Sequence, residues 1–215
     1  MNSSGAQYGL IRRAYRSILP AWPCVNWLEH ETSGCLSLLD LGCGDHSPVQ
    51  YLKVPFSVGV DIHLPYLRED KRLNFHSQYI LADITRLELK SKSFDAVIAT
   101  EVLEHLPKPE GYALLQKMER LARKRVIVTV PNGYLYQDGY DNNPFQEHKS
   151  GWSVADMRSL GFRVRGHSGW KRLRGYQGGL RYKPAFLWLR LSDLSQLLIG
   201  RFPQSMFGLF AVKDL

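Results

Sequence analysis

Short uninterrupted apolar runs dominate the first two thirds of the chain, and most are followed by acidic or glycine-rich residues. Cys35-Leu36-Ser37-Leu38-Leu39-Asp40-Leu41, Ser57-Val58-Gly59-Val60-Asp61, Tyr79-Ile80-Leu81-Ala82-Asp83, Phe94-Asp95-Ala96-Val97-Ile98-Ala99 and Arg125-Val126-Ile127-Val128-Thr129-Val130 all have strand length. A strand with one wet face alternates apolar and polar side chains, whereas a strand covered on both faces reads as a near-continuous Val/Ile/Leu run. The five therefore predict a parallel sheet with helices on both faces. Between them, 65–72 reads as a charged helix and 49–54 as a short one. The stretch 109–123 sets Leu114, Leu115, Met118, Leu121 and Ala122 on one helical stripe.

The last third changes character. A turn region at 138–144 rich in Asp, Asn and Gly leads to a predicted helix at 153–159 and a strand at 162–166, and 207–212 closes the chain as another strand. These two strands are expected to pair at one sheet edge. The whole reads as an α/β fold: a Rossmann-like doubly wound sheet of about seven strands, mostly parallel, with an antiparallel C-terminal pair. About forty residues separate the last two strands, too many for a bare loop in a compact domain, so 168–205 is expected to be a helical insertion. Its helix, 184–199, carries Leu187, Leu191, Leu194 and Leu198 on one face and is predicted to pack on the core as a cover. Near the start, Tyr8, Ile11, Tyr15 and Ile18 oppose Arg12, Arg13 and Arg16, an amphipathic helix stopped by Pro20. Residues 1–34 are thus expected to form a lid or leader to a domain spanning 35–215.

Composition narrows the picture. A chain of 215 residues that is 44% apolar can bury a core without disulfide or metal staples. Cys24, Cys35 and Cys43 form neither an even framework nor a zinc spacing, so reduced thiols, a cytoplasmic setting and no metal are expected. No 18-residue apolar run suggests a membrane span, although peripheral contact stays open. The formal charge of +8 is uneven: residues 1–144 hold 16 Lys/Arg against 16 Asp/Glu, and 145–215 hold 12 against 4. An anionic partner is expected in that last third.

Candidate chemistry gathers at the predicted strand ends. In Asp40-Leu41-Gly42-Cys43-Gly44-Asp45-His46-Ser47, two glycines allow a tight turn and let a ligand lie on bare backbone. The dinucleotide fingerprint wants a further glycine, which is missing, so a nicotinamide oxidoreductase is disfavoured. Asp61, about twenty residues after Asp40, is placed to take two ribose hydroxyls. Asp83 with Ile84 adds an acceptor and an apolar neighbour for a base one strand further on. Such convergence is where open α/β sheets bind ligands.

Leu39-Asp40-Leu41-Gly42-Cys43-Gly44, Val60-Asp61, Ala82-Asp83-Ile84, the string from Phe94 through Glu101-Val102-Leu103-Glu104-His105-Leu106, and Val130-Pro131-Asn132 together resemble the class I S-adenosylmethionine-dependent methyltransferases, in their small type 11-like branch. The resemblance covers about 35–167. It implies that Gly42, Cys43 and Gly44 cradle the methionine part of S-adenosylmethionine, with Asp40 orienting its amino group. It further assigns the ribose to Asp61 with Ile62, the adenine to Asp83 and Ile84, and the sulfonium side to Thr100 and Glu101. His46 stands where members usually have a third glycine.

Methyl transfer from a sulfonium is an in-line displacement, so positioning and water exclusion carry most of the work and a base is optional. His148, after the fifth strand, and His105 are the candidate bases. Glu147, His148, Trp152, Arg172 and Tyr176 are expected to meet the acceptor. Trp170, Lys171, Arg172, Arg174, Tyr176, Arg181, Tyr182 and Lys183 interleave rings and cations, which suits a lipid headgroup surface and also RNA. A small-molecule or lipid-like acceptor is the leading expectation. An RNA methyltransferase and an inactive cofactor-binding scaffold are the competitors.

Overall fold

The computed structural model describes residues 23–139, 142–175, 178–199 and 201–215. Seven strands form one sheet: β1 (Ser37–Leu41), β2 (Phe56–Asp61), β3 (Gln78–Leu81), β4 (Phe94–Thr100), β5 (Ala122–Pro131), β6 (Arg163–Trp170) and β7 (Met206–Asp214). The order across it is β3-β2-β1-β4-β5-β7-β6, parallel throughout except that β7 runs antiparallel to both neighbours. The predicted architecture is therefore the observed one. The two cores follow from strand alternation. Leu39, Leu41, Val58, Val60, Val97, Val126 and Val128 point to one face, with Leu38, Ala96, Ile98, Ile127 and Phe210 on the other.

Helices cover both faces. On the first, α3 (Lys108–Leu121) contributes Leu114, Leu115, Met118 and Leu121, and α4 (Val154–Ser159) contributes Met157. Ser153 caps α4 in a reciprocal box with Asp156, whose carboxylate also receives Lys108 at 3.0 Å. On the second face, α1 (Pro23–Thr32) lays Leu28 and Trp27 beside Phe210. The amphipathic helix expected around 8–18 lies outside the described residues. Between β2 and β3, α2 (Leu64–Leu73) buries Tyr66, Leu67 and Asp70 and stops at Asn74 in the left-handed conformation.

Two connections are leaner than the alternating pattern implies. After the glycine loop the chain makes only a 3-10 turn, Pro48–Tyr51, because Pro48 and Pro55 bracket too few residues for a full helix. From β3 to β4 it runs without a helix, and Asp83 folds that connection by accepting from the backbone N–H of Thr85 at 2.9 Å. Strand β6 extends past the predicted 162–166 to Trp170, with an irregularity after His167. There Gly169 holds φ +77°, and a Cβ on it would stand 2.6 Å from the backbone oxygen of Ser192. That glycine lets α5 (Ala185–Ile199) seat against the strand.

The orientation of α5 reverses the expectation of a core-packed cover. Ser192, Ser195 and Gln196 face the sheet: Gln196 donates to Gly166 O at 2.9 Å, the N–H of Trp170 donates to Ser195 Oγ at 2.9 Å, and Ser192 is buried. Phe186, Leu187, Leu191 and Leu194 lie on the outside, 66%, 49%, 47% and 55% exposed. The exposed backbone of a bulged edge strand needs hydrogen-bond partners, and the polar stripe supplies them.

Candidate active site

The glycine loop begins where β1 ends. The N–H groups of Gly42 and Cys43 both donate to Val60 O, at 2.8 and 3.0 Å, folding the loop over β2. Gly42 has φ +76°, and a Cβ there would lie 2.6 Å from Cγ2 of Val102, so no L side chain fits. At Gly44, φ +66°, nothing lies within 4 Å of the missing Cβ, so bare backbone faces open space. Asp61 is bound into the same unit, its Oδ2 accepting from Gly44 N–H at 2.9 Å and its Oδ1 from His63 N–H at 2.7 Å. Each oxygen retains a lone pair for an incoming hydroxyl. Burial raises the Asp61 carboxyl above the ordinary range while the two N–H groups pull it down. His46 has an ordinary negative φ and sets its ring edge toward Phe75, so the loop closes without a third glycine.

Other predicted residues sit differently. Asp40 is wholly buried beneath the loop, where its Oδ2 accepts from Ser47 Oγ at 2.6 Å; it braces the turn from behind. The Cys43 side chain likewise points inward and is 5% exposed, so at this position the loop offers its backbone rather than the thiol. Asp83 occupies the neighbouring strand end, where Ala82 N–H donates to Asp61 O at 3.0 Å. Its Oδ1 is taken by Thr85, and a cavity of about 340 Å³ beside it is lined by Asp83, Thr85, Arg86, Glu110 and Lys117, without Gly42 or Asp61. Ile84 is half-buried against the main core, and Ile62 is exposed. Thr100 ends β4, and Glu101 follows at φ +55°, its N–H donating to Thr129 O at 2.9 Å.

The Leu103–His105 turn forms one unit with the segment 147–150, forty residues later. Lys149 and Ser150 N–H both donate to Glu104 O, at 2.7 and 3.0 Å, and Ser150 Oγ donates to Leu103 O at 3.0 Å. This clamp brings the His105 and His148 rings edge to face at 4.7 Å. Each imidazole is anchored through Nδ1, His105 to Glu147 O at 3.1 Å and His148 to Leu135 O at 2.7 Å. A carbonyl partner makes Nδ1 the donor and leaves Nε2 with its lone pair. Burial pushes His105 down to about 4 and His148 down as well, so both are neutral at pH 7.

Sequence reasoning missed Glu104. It is 2% exposed, neither carboxylate oxygen has a hydrogen-bond partner by ordinary geometry, and burial with the nearby Glu101 carboxylate drives its pKa well up. Ligand atoms of Glu104, His105 and His148 lie within 4.8 Å of one another, a set that sequence spacing hid because 43 residues separate the two histidines. Trp152 is fully buried, its Nε1 donating to Ser150 Oγ at 3.1 Å and its ring against Gly111 and under Lys108 Nζ at 3.9 Å, so it packs the clamp. Glu147 is exposed and joins the site through its backbone oxygen. Arg172 is exposed beside Trp170, and Tyr176 lies outside the described residues.

Residues 39–130 match the family profile described as a methyltransferase domain. An uncharacterized protein of Methanocaldococcus jannaschii is 28% identical over 127 residues, which is 59% of this chain and 55% of that protein. The chain thus spans about half the length of that curated relative. Among solved structures, a SAM-dependent methyltransferase from Archaeoglobus fulgidus superposes with a TM-score of 0.56 at 16% identity, over 97% of this chain and 99% of that one. A magnesium protoporphyrin IX methyltransferase from Synechocystis PCC 6803 with bound SAH gives 0.53 at 18% identity, over 88% and 79%. At such identities the structural likeness shows a shared fold.

Proposed function

We propose that this chain is a class I S-adenosylmethionine-dependent methyltransferase and that it methylates a lipid-like acceptor presented at an anionic membrane surface. S-adenosylmethionine supplies an electrophilic methyl group on a positively charged sulfur. The residues present fit it: Gly44 offers backbone that nothing crowds, and Asp61 is held by two N–H groups with acceptor capacity to spare. The parallel strand ends aim Gly42, Asp61 and Glu101 at one edge. The neutral Nε2 of His148 or His105 takes the proton that an acceptor hydroxyl releases as its oxygen attacks in line. The buried clamp around Glu104 fixes both rings and keeps water out.

One observation carries the choice of acceptor: the outward apolar face of α5. Register supports this choice: Trp170, against which α5 seats, pairs with Met206 just beyond the β5 carboxyl end, where Pro131 pairs with Gly208, the sheet edge that also carries Gly42, Asp61 and Glu101. Exposed Lys171, Arg172, Arg181, Lys183 and Arg190 flank it, the arrangement that holds an amphipathic helix on anionic lipid. Among the described residues no helix is long and apolar enough to cross a membrane. In the test, the protein is sedimented with phosphatidylglycerol or phosphatidylcholine vesicles, and labelled methyl is followed from S-adenosylmethionine into a lipid extract. Binding to the anionic vesicles and label in the lipid fraction are expected; label confined to RNA, or vesicle binding unchanged in Leu191→Glu/Leu194→Glu, overturns the reading.

The Glu104 carboxyl, buried beside Glu101 and close to both histidines, favours a second reading of the acceptor side. Glu104, His105 and His148 would hold a divalent cation, which would supply Lewis acidity to the acceptor oxygen in place of a base. Both imidazoles have the anchored Nδ1–H that orients metal-binding histidines. Loss of methyl transfer on chelation, restored by a divalent salt, supports this version; indifference to chelator returns the proton to the histidines.

A further inference from the structure

A second buried cluster lies behind the glycine loop and takes no part in methyl transfer. Cys43 sits on the loop, Asp70 in α2 and His76 in the turn before β3, and one ligand atom of each lies within 4.8 Å of the other two. All three are buried; Asp70 is 0% exposed. Among the described residues, no N–H or O–H group donates to either carboxylate oxygen of Asp70, whose hydrogen-bonding neighbour is the weakly donating Cys43 thiol, and Nε2 of His76 finds no hydrogen-bond partner. Unsatisfied groups this deep are costly unless something else occupies the space between them.

The spacings suit a cation better than hydrogen bonds. His76 Nε2 stands 3.6 Å from Asp70 Oδ2 and 3.5 Å from Asp40 Oδ2, outside good hydrogen-bond lengths. Nitrogen and oxygen ligands at about 2.0–2.1 Å from one tetrahedral ion are roughly 3.3 Å apart. The ring is also oriented from behind, its Nδ1 lying 3.2 Å from Ser57 Oγ. A divalent ion would take the Cys43 sulfur as thiolate, the thiol proton passing to solvent as the sulfur–metal bond forms.

We propose that Cys43, Asp70 and His76 form a structural site for a zinc-class divalent cation, with the Asp40 carboxylate flanking it. A thiolate, an imidazole and a carboxylate select a borderline-soft ion over magnesium or calcium. The ion would tie the loop bearing Gly42 and Gly44 to α2, fixing the turn from the side away from the cofactor. This goes beyond the methyl-transfer reading and survives its failure.

The full chain is expressed in cobalt-supplemented medium, and its metal content and absorption are measured. One cobalt bound at this site with a thiolate-to-cobalt charge-transfer band is expected, retained in Cys24→Ser/Cys35→Ser and in Glu104→Gln, which removes a ligand of the sulfur-free acceptor-side set. The band should vanish in Cys43→Ser. Should that variant fail to fold, X-ray absorption of zinc-loaded parent protein decides, with one sulfur at about 2.3 Å among nitrogen and oxygen ligands expected. Folded protein without thiolate-bound metal, a band that persists in Cys43→Ser, or a shell of nitrogen and oxygen alone overturns the proposal.

Discussion

Asp61 is bound by the protein before any ligand arrives. Its two backbone N–H contacts fix the carboxylate plane, so Asp61→Asn replaces an acceptor pair with one acceptor and one misdirected donor while the side chain stays nearly isosteric. Calorimetric titration should show S-adenosylmethionine affinity reduced by about 1–3 kcal/mol, or roughly five- to 150-fold. Elsewhere, burial holds His167 down at about 4. The unfolded chain takes up that proton near 6.5, so stability is full above that pH and falls as pH drops toward 4, by up to about 3 kcal/mol. Urea melts of His167→Gln should therefore show a shallower pH dependence between 6.5 and 4 than the parent. A parallel dependence would mean that the imidazole reaches solvent.

At the scale of elements, the contact between α3 and the Trp152 loop is sharply defined. A Cβ at Gly111 would stand 2.4 Å from Trp152 Cζ2. Gly111→Ala, favourable by helix propensity alone, is expected to destabilise the protein by about 1–3 kcal/mol through overpacking; denaturant midpoints measure it. The strands were legible in sequence because burial on both faces writes itself as unbroken Val/Ile/Leu, as in Val126-Ile127-Val128. The missing helices after the glycine loop and after β3 were not, since Pro48 and the Asp83 turn act through local geometry that periodicity does not register. Amphipathicity showed which side of α5 is apolar but not where that side points. The backbone of Gly166, Gly169 and Trp170, distant in sequence, decides that. The glycine loop and Asp61 were readable from strand ends, whereas the Glu104–His148 convergence depends on Lys149 and Ser150 folding back on Glu104 O.

For the whole molecule, charge and apolar surface coincide. Exposed Lys171, Arg172, Arg181, Lys183 and Arg190 lie in and just before α5, so the proposed attraction to a bilayer would combine a long-range part that salt screens with a short-range part that it does not. Raising ionic strength should weaken vesicle binding without abolishing it, while Leu191→Glu/Leu194→Glu should remove the residue that salt leaves, with little loss of thermal stability because both side chains are already exposed. Unchanged sedimentation in high salt would make the cations bystanders. A catalyst held on a bilayer through α5, as proposed, would meet its acceptor in two dimensions. Its velocity would then follow the mole fraction of that acceptor within the bilayer rather than its bulk concentration, and diluting the target with inert phospholipid should slow turnover at constant total substrate.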